Sequence, residues 1–156
     1  MKNMSRLFVL LIGLGMLCSC RQRITSSMIS EAPIKIDSDW VQIALPQTTI
    51  AQWQSQEIRL TSATPFEPST NPWGLKLKDG SIAVLELKVV AEERKEYVLD
   101  FDGFALSESD EILFESNKIP QGTRLTQLRI RCTQPLVVSK IAWISYMPSD
   151  TKTGVP

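Results

Sequence analysis

From Ile34 onward, apolar and polar residues alternate with a period of two in short runs separated by turn-forming residues. That is the pattern of β-strands with one buried face. The runs predict strands over Ile34–Asp37, Trp40–Leu45, Glu57–Ser62, Gly74–Lys78, Ile82–Val90, Glu96–Phe101, Ile112–Glu115, Leu125–Thr133 and Leu136–Met147. No stretch carries the spacing of a long amphipathic helix.

The strongest local signal is Leu75-Lys-Leu-Lys-Asp79-Gly80-Ser-Ile-Ala-Val-Leu85, an Asp-Gly turn between two alternating runs. A two-residue loop at Asp79-Gly80 would set Leu75 and Leu77 beside Ile82 and Val84, and then beside Glu86 and Lys88. A three-residue loop, Lys78 to Gly80, with Gly80 left-handed in a G1 bulge, sets them against Ala83, Leu85, Leu87 and Val89. Only the second keeps one face apolar, and it is the expected loop. A second pair is expected between Leu128–Cys132 and Val137–Tyr146, with Thr133-Gln134-Pro135 as its turn, Arg129 and Arg131 facing water, and Leu128, Ile130 and Cys132 facing inward. The run Ile141 to Ile144 is apolar on both faces, as in a central strand packed between layers. Trp40 and Trp143 lie inside strand patterns and are expected in the core.

Many short strands at near-regular spacing predict an all-β fold, an antiparallel β-sandwich with jelly-roll-like character, over residues 34–148, followed by a C-terminal tail, 149–156. A chain of 156 residues has room for one such domain.

The amino terminus has a different character. Lys2 and Arg6 precede an apolar run from Leu7 to Leu17, and small residues follow. The run has eleven residues, whereas a bilayer-spanning helix needs about 20, so the segment is expected to be a cleaved leader over residues 1–19. Leu17-Cys18-Ser19-Cys20 resembles the lipobox of bacterial lipoproteins, with an aliphatic residue three places before the cysteine and a small residue just before it. The competing frame, Gly15-Met16-Leu17-Cys18, puts bulky Leu17 where a small residue is required. The resemblance implies cleavage before Cys20 and a covalent lipid on its sulfur and freed amine, a membrane anchor worth about 0.8 kcal/mol per buried CH₂. Arg21 follows, not the aspartate that resembles an inner-membrane retention signal in enteric bacteria, so the resemblance implies an outer-membrane lipoprotein with its domain facing the periplasm or cell exterior. Residues 20–33 are expected to form the lipidated cysteine and a flexible tether. Fully extended, the thirteen residues Arg21–Pro33 would reach about 45 Å. Ile24 to Ile29 is apolar enough to pack instead as an edge strand.

Composition narrows the chemistry. Lys plus Arg and Asp plus Glu number 17 each; without Lys2 and Arg6, 15 basic residues face 17 acidic ones, a net charge of −2. Only Arg124, Arg129 and Arg131 cluster, too little basic surface for nucleic acid. The chain has no histidine, the commonest general base and zinc ligand. With Cys18 and Cys20 at the leader boundary, Cys132 stands alone in the domain on an inward-facing pattern, where a structural role is expected.

Two groups of residues remain as candidate sites. Asp100, Asp102 and Glu111 fall in a predicted acidic loop that could offer hard oxygen ligands to a structural calcium ion, although Phe104 and Ala105 break the EF-hand pattern. The competing reading is a solvated acidic turn. Trp53, Trp73 and Tyr146 are the aromatics expected on loops or sheet edges, where a ring could stack on a sugar. Trp73 is the foremost, because it follows the proline-rich Pro65–Pro72 loop. No other cofactor is expected. The expected function is a non-enzymatic binding or assembly component of the envelope that recognises a protein partner or a glycan. The alternative is a tethered carbohydrate-binding domain, whose jelly rolls the strand pattern resembles.

Overall fold

Thirteen strands carry the described residues of the computed structural model, 23–46, 56–70, 73–104, 110–116 and 118–147. They are β1 (Arg23–Ser30), β2 (Ile34–Ile36), β3 (Val41–Ala44), β4 (Gln56–Ser62), β5 (Phe66–Thr70), β6 (Trp73–Leu77), β7 (Ile82–Ala83), β8 (Leu85–Ala91), β9 (Glu96–Val98), β10 (Asp100–Phe104), β11 (Glu111–Glu115), β12 (Leu125–Cys132) and β13 (Leu136–Met147). One sheet has the order β1-β13-β4-β11-β10, with β2 also on β13; a second has β3-β12-β8-β9; a small third has β5-β6-β7. All ladders between them are antiparallel.

The pairings nest. β2 lies on β13, β3 on β12, β4 on β11 and β8 on β9, so the chain is one long antiparallel ribbon folded back on itself and rolled into two layers. That is a jelly-roll-like sandwich, as the strand pattern predicts. The layers close over a core to which the first sheet sends Ile58, Leu60, Ile112, Phe114, Ile141 and Trp143, and the second Leu87, Val89, Leu128, Ile130 and Cys132. Along β12 the buried residues alternate with Gln127, Arg129 and Arg131, which face outward as expected. Ile141 to Ser145 of β13 are all buried. This is the two-faced burial of a central strand flanked by β1 and β4.

The Leu77–Ser81 turn adopts the three-residue form. The Gly80 N–H donates to Leu77 O (2.9 Å), the Leu77 N–H to Ser81 O (2.9 Å), Gly80 sits at φ 84°, and Leu75 faces Ala83. Five other expectations change. The run Ile82–Val90 divides into β7 and β8 at Val84, whose N–H leaves the ladder to donate to Thr133 Oγ1 (2.9 Å). The run Glu96–Phe101 divides at Leu99, where the chain passes from the second sheet to the first. Residues 66–70 of the proline-rich loop form strand β5, which tolerates Pro68 because it is an edge strand paired only with β6. The two strands around Thr133-Gln134-Pro135 do not pair with each other: β12 belongs to the second sheet and β13 to the first, so the connection is an arch across the core. Both strands bury an apolar face, and an arch lets the two faces meet where a hairpin would set them side by side.

The fifth change concerns the tether. Residues 23–30 pair with β13 from Arg23–Met147 to Ser30–Ile141. The edge-strand alternative therefore describes most of the stretch read as a tether, and the sandwich begins at Arg23 instead of residue 34. The leader, Cys20 and the tail from residue 149 lie outside the described residues.

Candidate functional site

Asp37 organises the corner that carries the chain from the first sheet to the second. Its Oδ1 accepts from the Asp39 N–H (3.1 Å), and its carbonyl accepts from the Cys132 N–H (2.7 Å). The turn delivers Trp40 to the start of β3. There the β12 ladder puts Val41 opposite Ile130 and Gln42 opposite Arg129. Strand alternation then sends Trp40 to the outer face of the second sheet with Gln42, not into the core. The sequence expectation for Trp40 is thus overturned, whereas Trp143, 4% exposed, is a core residue as expected.

On that outer face, Trp40 is half-buried under two cations, with the Arg131 guanidinium carbon 4.6 Å and the Lys88 ammonium 4.9 Å from its ring centroid. Arg131 donates from Nε (3.1 Å) and Nη2 (2.7 Å) to Glu86 Oε2, and Lys88 donates to Glu96 Oε2 (3.3 Å). Arg129 pairs with the other oxygen of Glu96 and donates from Nε to Gln127 Oε1 (3.2 Å), and Gln127 donates to Gln42 Oε1 (3.0 Å). One polar network therefore crosses all four strands. Each exposed pair contributes at most about 1 kcal/mol, and each cation over the ring about 0.5–1 kcal/mol, so the network's main effect is to hold Trp40 and the arginines in place. Val98, opposite Lys88 on β9, adds an apolar residue that is 57% exposed. A 240 Å³ hollow lined by Ser38, Val84, Glu86, Arg131, Cys132 and Thr133 closes one end of the face, where β7 breaks from β8.

A larger cleft of 540 Å³ lies beside the small sheet. Pro65, Phe66 and Leu77 give it apolar lining, and Glu67, Lys76, Lys78 and Asp79 supply charge. Phe66 rests on Phe104 (centroids 5.5 Å apart), and Phe104 continues through Phe101 to Phe114 in the core, which makes that side of the cleft rigid. Asp79 accepts from the N–H and Oγ of Ser81 (2.9 and 2.6 Å), and these hydrogen bonds hold its carboxyl below the ordinary aspartate range.

The acidic residues do not converge. Asp100 and Asp102 lie in strand β10, not in a loop, and Asp100 faces Glu115. Glu111 begins β11, four residues and about 13 Å from Glu115, beyond the reach of one ion's ligand sphere. Asp100 pairs with Lys118 (2.7 Å) and Glu111 with Arg59 (3.1 Å), and Asp102 lies near Glu115, whose carboxyl pKa is raised by burial first and then by Asp102. Among the described residues no group of three or more carboxylates and cysteines could hold a metal ion. Asp100, Asp102 and Glu111 are therefore not gathered into one ligand set among the described residues.

Among the aromatics, Trp53 lies outside the described residues. Trp73 opens β6 opposite Thr70, so it lies at the start of a strand. Tyr146 stands in β13 opposite Ile24 of β1. Cys132 is 1% exposed and burial pushes its thiol pKa up, consistent with a core residue. Arg124, Arg129 and Arg131 each face a carboxylate, Glu92, Glu96 and Glu86, so the basic cluster is neutralised.

Trp40 is the residue that sequence reasoning missed. The available signal was its spacing from Gln42 and Ala44, which puts all three on one strand face with the polar partners. Protein-family models, curated proteins and solved structures provide no match to this chain, so the site is defined by its own geometry.

Proposed function

We propose that this protein is a lipid-anchored component of the bacterial envelope that binds or assembles with a protein partner and performs no catalysis. Cys20 is the lipid attachment site, and the outer face of the second sheet is the docking surface. The observation that carries the docking surface is Trp40, held outside the sandwich by Arg131 and Lys88. Tryptophan and arginine dominate the energetics of protein interfaces because a large, pre-positioned side chain is buried on binding at little entropic cost. The anchor is supported by the lipobox frame at Leu17-Cys18-Ser19-Cys20.

Labelled palmitate tests the anchor: the wild type takes up label and Cys20→Ser does not, and equal labelling of both removes it. Crosslinked capture from envelope fractions tests the surface. Trp40→Ala, with unchanged thermal stability, is expected to lose the protein captured by the wild type, and undiminished capture refutes this surface. A tethered carbohydrate-binding domain is the second reading, favoured by the 540 Å³ cleft at Phe66. Glycan binding lost in Phe66→Ala and retained in Trp40→Ala would select it.

A further inference from the structure

We propose that the sandwich stands on the bilayer on its Arg23–Met147 end, so that the corner carrying Trp40 and the Arg131 hollow is the end that reaches away from the membrane. This rests on the reading of Cys20 as the lipidated residue. Only two residues separate Cys20 from Arg23, which is already in register with Met147 at the end of β13. Three backbone steps span at most about 11 Å, so the end of the first sheet is confined to that distance from the lipid attachment. A free tether over Arg21–Pro33 would allow about 45 Å. Headgroup layers are only about 5–7 Å thick on each side of the hydrocarbon, which brings this end of the domain into contact range of the bilayer surface.

The opposite corner follows from the length of β13. Its twelve residues rise about 37 Å from Met147 to Leu136. The arch at Leu136 leads directly to Cys132 and Arg131, and hence to the hollow and Trp40. The charge distribution favours standing over lying flat. On the outer face of the first sheet, Arg59 is paired with Glu57 and Glu111, which are themselves buried, so that face offers anionic headgroups little attraction. On the outer face of the second sheet, Lys88, Arg129 and Arg131 are each paired with Glu96 or Glu86, which leaves little net attraction to anionic lipid.

Fluorophores on introduced cysteines test the orientation, since buried Cys132 is the only other thiol expected in the mature chain. Exposed Ser26, on β1, and exposed Ser38, at the hollow, supply the two positions. The lipidated, palmitate-labelled proteins are placed in vesicles of phosphatidylethanolamine and phosphatidylglycerol carrying a headgroup quencher. Strong loss of fluorescence for Ser26→Cys and little for Ser38→Cys is expected, and a fifteen-residue Gly/Ser insertion after Arg21 should abolish the loss at Ser26. Equal quenching at both positions, or no effect of the insertion, overturns the orientation while leaving the anchor intact. Absence of palmitate on the wild type overturns the anchor and the orientation together.

Discussion

Two turns of the same construction contain different residues at their critical position. In Leu77–Ser81 and Ala91–Lys95, the third loop residue donates its N–H to the carbonyl three places back (2.9 Å in both) and takes a positive φ. Gly80 fills that position in the first at φ 84°, and Arg94 fills it in the second at φ 65°. A side chain in the left-handed region costs roughly 1–2 kcal/mol through contact of Cβ with the following carbonyl. Arg94→Gly is therefore expected to stabilise the protein by about 1 kcal/mol after the glycine's own entropic cost, seen as a higher urea midpoint at unchanged slope. Gly80 was legible in the sequence because Asp-Gly between alternating runs has a known geometry; Arg94 was not, because arginine gives no sign of positive φ.

Glu115 carries a second residue-scale effect. Burial first, then the charge and hydrogen bond of Asp102, and then Asp100 and Glu57, raise its carboxyl pKa above the ordinary value. Between the unfolded and the raised folded pKa, the folded state binds more protons, so this group's contribution to stability falls as pH rises through that interval. Urea unfolding at a series of pH values is expected to show Glu115→Gln gaining on the wild type across the interval and remaining the more stable at neutral pH. A constant difference at all pH values would contradict it.

At the scale of elements, the strands themselves were read with most of their boundaries because half-buried strands alternate in sequence. Their partners were not. The break at Val84 is invisible locally, since valine suits the strand as well as its neighbours do, and it is made by Thr133, 49 positions away, accepting the Val84 N–H. Thr133→Val keeps the shape and removes the acceptor. It is expected to cost about 1 kcal/mol and to speed hydrogen exchange at the Val84 amide, with exchange in the centre of β8 little changed. The arch between β12 and β13 was misread for a related reason: a three-residue turn with a proline fits a hairpin or an arch equally well, and only the location of the rest of the core decides.

For the whole molecule, the nested pairing of β2 with β13, β3 with β12 and β4 with β11 means that most stabilising contacts join distant parts of the chain. Loop-closure entropy must be overcome before those contacts form, so folding is expected in the range of milliseconds to seconds, and stopped-flow refolding measures it. Microsecond folding would mean that local contacts, not the nested ladders, carry the transition state. The sequence alone determined the all-β class, the inward set on β12, the two-faced burial of β13 and the Gly80 turn, and the proposed anchor rests on the lipobox resemblance. Those features depend on alternation, on a local backbone requirement, or on a short linear motif. Tertiary structure alone decided that residues 23–30 join the sheet, that Asp100 and Glu111 stay apart, and that Trp40 faces outward. Each of those depends on which distant strand lies alongside, and strand pairing is a property of the folded chain, set by register and by the shared core.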